Sequence, residues 1–217
     1  MNSERQITLF EKLGRSISTD RLGTYLTAAG FNQDRALRLY IWNAHIGEAF
    51  HLPIQGAEVA LRNSVNHALC AKFSPDWWSA PAFLSIADRE RKADIDTALR
   101  RIDNRKKPRV TGQVVANLSF GFWVGMLQPR YNSMIWSAHL RAAFPSLPEE
   151  KSRYDLAASA RRIADLRNRI WHHEPIFRMN LSEEYGAVME LLGWLCPIKM
   201  GWLRPHCRVP QLLRQKP

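Results

Sequence analysis

Leu156, Ser159, Ala160, Ile163, Leu166 and Ile170 recur at intervals of three and four residues, the period of a helix with one packed face. Such a stripe has to be buried against a neighbour. Most other segments of the chain also repeat near 3.6 residues, and few alternate as strands do, so the expected fold class is all-α. With 217 residues, 46% of them hydrophobic and 24% charged, the chain has enough apolar material for the core of one domain and lacks the composition of a disordered one.

Punctuation places the helices. Ser18, Thr19 and Asp20 offer N-caps for a helix reaching Ala29 and ended by Gly30. Asp34 is expected to cap a run through Phe50, Pro53 to interrupt it, and a further helix to span about Gln55 to Lys72. Asp88 opens a polar helix to about Asn104, followed by the basic connector Arg105 to Arg109. Leu118 to Leu127 and Asn132 to Phe144 read as short helices. A long helix is expected from about Glu149 or Glu150 to His173, stopped by Pro175, and a last one, capped by Ser182, to about Leu195. The layout is one helical domain, with a core over about 34–195, an N-terminal helical extension over 1–33 and a basic, partly ordered tail over 198–217.

Val110 to Pro129 carries no charge and is long enough to cross a bilayer. Its Thr, Gly, Gln, Asn and Ser residues leave too little apolar surface for lipid, so a buried core helix is expected and no membrane partner. Met1 to Gln6 lacks the apolar run of a signal peptide. Cys70, Cys196 and Cys207 stand far apart with no CxxC pair, which suggests neither a disulfide framework nor a zinc site. A reducing, cytoplasmic setting is the expectation.

The net charge of +11 draws polyanions. Nucleic acid or an anionic membrane fits and an acidic protein is possible; the basic residues recur along the chain instead of forming one tail. Arg105, Lys106 and Lys107 in the connector, with Arg161 and Arg162, are the candidates for RNA phosphate contacts. Asp94 and Asp96, two apart on a helix, diverge and read as a solvated face. Trp77, Trp78 and Trp123 read as core residues before they read as stacking platforms. No P-loop, dinucleotide fingerprint or nucleophile elbow is present.

Chemistry concentrates in Leu166-Arg167-Asn168-Arg169-Ile170-Trp171-His172-His173-Glu174-Pro175. On a helix, Arg167 falls at the edge of the apolar stripe, Asn168 and His172 share another face, and Arg169 and His173 repeat that relation. Histidine titrates near neutrality and can shuttle protons, and arginine offers a permanently charged fork matched to phosphate oxygens. Asn168 can orient an imidazole or a phosphate oxygen. The bland alternative is a helix end with caps and ion pairs, Glu174 being available to Arg167 two turns away. Against it stands a second copy of the pattern Leu-Arg-Asn-x-x-x-His, at Leu61-Arg62-Asn63 to His67. Glu58, one turn before Arg62, can pair with Arg62 or, if the helices pack together, with Arg167.

The segment Leu166 to Phe177, together with Glu58 to Leu69 and Ser119 to Leu127, resembles the Abi-like (abortive infection) family of phage-defence proteins within the HEPN superfamily. The match rests on Arg167-Asn168-x-x-x-His172 and covers roughly Glu58 to Phe177. The resemblance implies an antiparallel helical bundle. It implies a metal-independent endoribonuclease without a cofactor, toxic when active, restricting phage growth and open to neutralisation by an antitoxin partner. It also implies a homodimer in which two such helices share one cleft on RNA, tRNA among the candidate targets. Arg167, Asn168 and His172 would be catalytic, and His173, Arg169, Glu174, Glu58, Arg62, Asn63 and His67 supporting. A non-catalytic RNA- or protein-binding module of the same fold is the alternative.

Overall fold

A computed structural model describes residues 8–217; the reading of Met1 to Gln6 lies outside the described residues. The helices in chain order are α1 (Leu9–Ile17), α2 (Thr19–Ala28), α3 (Gln33–Lys72), α4 (Pro81–Ile86), α5 (Arg89–Asn104), α6 (Thr111–Asn117) and α7 (Phe120–Gly125). After a π-helical turn (Asn132–Trp136) come α8 (Ser137–Ala143), α9 (Arg153–Trp171), α10 (Leu181–Leu195), α11 (Pro197–Leu203) and α12 (Val209–Leu213). No strand occurs among the described residues, and the fold is all-α.

Helix α3 is the axis of the molecule. Its forty residues span about 60 Å, and α1, α2, α7 to α12 and the π-turn all pack along it. The expected break at Pro53 does not occur: Pro53 is buried inside a continuous helix. Its cost of about 3 kcal/mol is offset by burial of Ile46, Phe50, Ile54, Leu61, Val65 and Leu69 along the same rod. Small residues allow that packing. A Cβ on Gly56 would come within 2.6 Å of the Leu203 Cδ1 atom of α11.

Three helix starts differ from expectation for one local reason, the side-chain oxygen that reaches the first free N–H groups. Asn32, not Asp34, caps α3 by accepting from Arg35 N at 2.9 Å. Ser152 opens α9 through a capping box with Asp155, so that helix begins later than Glu149 or Glu150. Asn180, not Ser182, accepts from Glu183 N and caps α10. Arg141 then fixes the approach to α9, donating to the carbonyls of Leu147, Pro148, Glu149 and Lys151.

The uncharged stretch Val110 to Pro129 is not one core helix. Its chain breaks at Leu118, and Ser119 caps α7 by accepting from Phe122 N at 3.2 Å. Among the described residues no helix is long and apolar enough to cross a membrane. Trp77, Trp78 and Trp123 are buried as expected, and the Trp77 indole donates to Asn66 Oδ1 at 2.9 Å.

The basic C-terminal segment is a packed element and not a partly ordered tail. Leu203, Val209 and Leu212 are buried, the Trp42 indole donates to Leu212 O at 2.8 Å, and Lys216 Nζ donates to Phe177 O at 2.8 Å. Its apolar residues at helical spacing outweigh its prolines, two of which sit in the first turns of short helices where they cost little.

Arg91 is a charged residue inside the core, 2% exposed. Its guanidinium pairs with Glu90 and Asp94 and donates to the carbonyls of Gly121 and Phe122, tying α5 to α7. The seat exists because residue 125 has no side chain: a Cβ there would lie 1.3 Å from Arg91 Nη1. Gly125→Ala should therefore expel the guanidinium from its hydrogen bonds and cost about 2–4 kcal/mol. Urea denaturation measures it; a loss below about 1 kcal/mol would mean the guanidinium relocates freely.

Candidate active site

Helix α9 delivers the motif onto α3. Gly47 lies against Ile170, the His51 ring stacks on Trp171 with centroids 5.2 Å apart, and Glu58 Oε2 lies 4.0 Å from Arg167 Nε. From His51 to Glu58 on α3 the partners on α9 step back from Trp171 to Arg167, so the two helices run antiparallel here. The apolar stripe behaves as expected, with Leu156, Ala160, Ile163 and Leu166 buried and Ile170 packed against the core.

Arg167 is held but not saturated. Its guanidinium carbon sits 4.9 Å from the Trp171 ring centre, Nη1 donates to Asn168 Oδ1 at 3.2 Å, and the solvent-shielded Nε has no hydrogen-bond partner. Glu58 is its ion-pair partner at long range. The expected Glu174 partner is not used, since Glu174 pairs with Arg169 at 3.6 Å. The cause is the end of the helix. Regular α-structure stops at Trp171, His172 is the cap residue with its N–H on Asn168 O, and His173 takes a left-handed conformation (φ 56°). The chain then folds back, Glu174 N bonding Arg169 O at 2.9 Å.

A buried side chain fixes the segment beyond Pro175. Asn43 Oδ1 on α3 accepts from the N–H groups of Ile176 and Phe177 at 2.8 and 3.0 Å, anchoring the motif's exit to the central rod. Asn168, His172 and His173 are all exposed. The Asn168 side chain serves Arg167 rather than His172. The result is a fixed, partly shielded cation in the last turn of a helix whose end carries two solvent-accessible imidazoles.

The first copy builds the same local bond, Arg62 Nε donating to Asn63 Oδ1 at 3.4 Å, with Leu61 and Val65 buried as expected. Burial sets the pKa of Lys199 on α11 below its ordinary value, opposed by Cys196 and aided by the Arg62 charge. His67 is exposed but lies sixteen residues beyond His51 on α3, about 24 Å along the axis, while the His172 segment is level with His51. One chain does not bring both histidines to one phosphate.

The basic candidates divide. Arg105, Lys106, Lys107 and Arg161 are exposed. Arg162 is not a free phosphate ligand, being clamped by Glu183 and Glu184 of α10 at 2.7 and 3.0 Å. The connector holding Arg105 to Lys107 joins α5 to α6, whose main contacts are with each other, away from the motif pairing on α3.

Sequence reasoning did not single out Asn43 or His51, because no spacing links them to residues 167–177. It also missed a cleft of about 610 Å³ walled by α2, α3 and the end of α9, which Tyr25, Tyr40, His51, Trp171, His173 and Glu174 help to line. Among the described residues no three His, Cys, Asp or Glu side chains are arranged to hold a metal ion. No family model, curated protein or solved structure matches this chain.

Proposed function

We propose that the protein is an endoribonuclease of the HEPN type, cleaving RNA without a metal from the Arg167, Asn168 and His172 cluster. The observation that carries the reading is Arg167, a guanidinium pinned by Trp171 and Asn168 with an unsatisfied Nε, on the same helix end as the exposed His172 five residues later. In this chemistry the 2′-hydroxyl of RNA attacks the adjacent phosphorus. The O2′–P bond forms, the P–O5′ bond breaks, one proton leaves the 2′-oxygen and one arrives at the 5′-oxygen. Imidazole moves the protons, and guanidinium stabilises the added negative charge.

Two proton transfers call for two groups. A single chain offers only one motif at this place, so a second copy of the chain is proposed to bring its own His172 across a twofold axis. The half-exposed Trp171 (40%) gives that interface an apolar contact beside the motif. Glu58, Arg169, His173 and Glu174 hold the cluster. Arg105, Lys106, Lys107 and Arg161 lend sequence-independent attraction for the RNA backbone, and a role in phage defence, with an antitoxin partner, follows from the resemblance alone.

A non-catalytic reading is favoured by one feature, the exposed Ile198 (87%) and Trp202 (67%) on α11, a docking face that needs no histidine chemistry. Incubating the protein with tRNA or total RNA in excess EDTA separates the two. Cutting that persists in EDTA is expected; salt-sensitive binding without cutting would favour the docking module.

A further inference from the structure

The cleft beside the motif carries two donors with no protein acceptor among the described residues, at the tips of side chains that are otherwise buried. Asn43 is 9% exposed, and its orientation is unambiguous because Oδ1 must accept the two backbone N–H groups of Ile176 and Phe177. Its Nδ2 therefore carries the donors, and this group bonds to nothing among the described residues. Tyr25 is 2% exposed, and its hydroxyl likewise has no hydrogen-bond partner among them. Burial, opposed by the Arg21 charge, pushes the Tyr25 pKa up to about 12, so the group stays a neutral O–H donor at physiological pH. Both side chains line the cleft. Neither atom is among the fully shielded unpartnered ones, so both donors open on the cavity, where a ligand with two acceptors can take them.

The cleft also offers a flat surface and two carboxylates. Arg167, Trp171 and His51 form a run of contacting planar groups, and the exposed imidazole of His51 ends that run on the cleft. Glu48 and Glu174, both exposed, line it as well; their ion pairs to Arg208 and Arg169 are long, at 3.9 and 3.6 Å.

We infer that this cleft holds a guanine base, stacked on His51, with its O6 and N7 acceptors toward Asn43 and Tyr25 and its N1–H and N2–H groups toward the carboxylates. Guanine matches because it has two adjacent acceptors on one edge and adjacent donors on another. Adenine would set its N6 amino group against a donor, uracil's two acceptors are separated by N3–H, and cytosine, with adjacent N3 and O2 acceptors, has a single donor group to offer the two carboxylates. The base can arrive as part of an RNA strand or as a free nucleotide. The RNA source deepens the ribonuclease reading, naming the base held beside the scissile link, and rests on it; the free-nucleotide arm does not.

The test has two arms on the full-length protein. In calorimetric titrations with GMP, AMP, UMP and CMP, GMP should bind at least about tenfold more tightly than the others. Tyr25→Phe, which removes only the hydroxyl, should weaken GMP about fivefold, and His51→Ala about tenfold. Absence of GMP binding, equal affinity for all four, or indifference to both substitutions would overturn the assignment. In the second arm a defined RNA is digested and the cut positions mapped. Cuts beside G that lose their preference in His51→Ala while cutting continues support the RNA source. GMP binding without any RNA cutting keeps the cleft as a free-nucleotide site and removes the ribonuclease reading, whereas cutting without base preference or GMP binding does the reverse.

Discussion

His172→Ala should lower the rate of RNA cleavage by about a hundredfold to ten-thousandfold, the range of a lost general acid or base. Arg167→Ala should lower it by about a hundredfold to a thousandfold, as for one lost stabiliser of transition-state charge. His67→Ala tells the two copies of the Leu-Arg-Asn-x-x-x-His string apart. With about 24 Å of α3 between the level of His172 and His67, the first copy lies outside the proposed cluster, so His67→Ala should stay within about threefold of wild type on the same scale of rate effects. Because His172 is exposed, its removal should leave thermal stability within about 0.5 kcal/mol, which separates lost chemistry from lost folding. Single-turnover rates on labelled RNA, with denaturation curves alongside, report all four proteins. Equal losses in His67→Ala and His172→Ala would contradict the assignment of the second copy.

Asn43→Ala should be among the most destabilising single changes in the molecule. It deletes the side-chain acceptor that holds the N–H groups of Ile176 and Phe177, both in buried residues. A buried donor left unmade costs about 1–3 kcal/mol, and the neighbouring cleft lets water relieve part of it, so a loss of about 2–4 kcal/mol is expected in urea denaturation. The turn carrying His172 to Glu174 leads directly into those two residues, so cleavage should fall as well. A loss below about 1 kcal/mol would show that the exit from α9 is held by its packing and not by this amide.

Helical class and the buried stripe of α9 were legible because apolar period is a property of neighbouring residues: Leu156, Ala160, Ile163 and Leu166 say which face is inside whatever they pack on. Burial of Trp77 and Trp123 followed from the size of their apolar rings. Boundaries were less legible. Pro53 breaks an isolated helix, but in α3 the packing of Ile46, Phe50, Ile54 and Leu61 outweighs its local cost, and that packing is invisible in a linear string. The C-terminal segment misled in the same way, since Leu203, Val209 and Leu212 find partners only once α3 and α10 are in place.

The candidate site shows the same division. Arg167, Asn168 and His172 stood out because their spacing and its repetition lie within short segments. The partner of Arg167 was half legible: Glu58 was one of two carboxylates in reach, and the chain reversal at His173 decides for Glu58 by turning Glu174 toward Arg169. Arg162 looked like a free cation until α10 brought Glu183 and Glu184 to it. Asn43 and His51 carry no signal of their own, since a polar residue on a long helix is ordinary until the opposing helix shows what it touches.

The most direct measurement is the end chemistry of RNA incubated with the wild-type protein in EDTA, beside an all-deoxy strand of the same sequence. Fragments ending in 2′,3′-cyclic phosphate and 5′-hydroxyl, with the deoxy strand untouched, are the expected result. Cutting of the deoxy strand, fragments bearing 5′-phosphate, or cutting that stops in EDTA would contradict catalysis by Arg167 and His172.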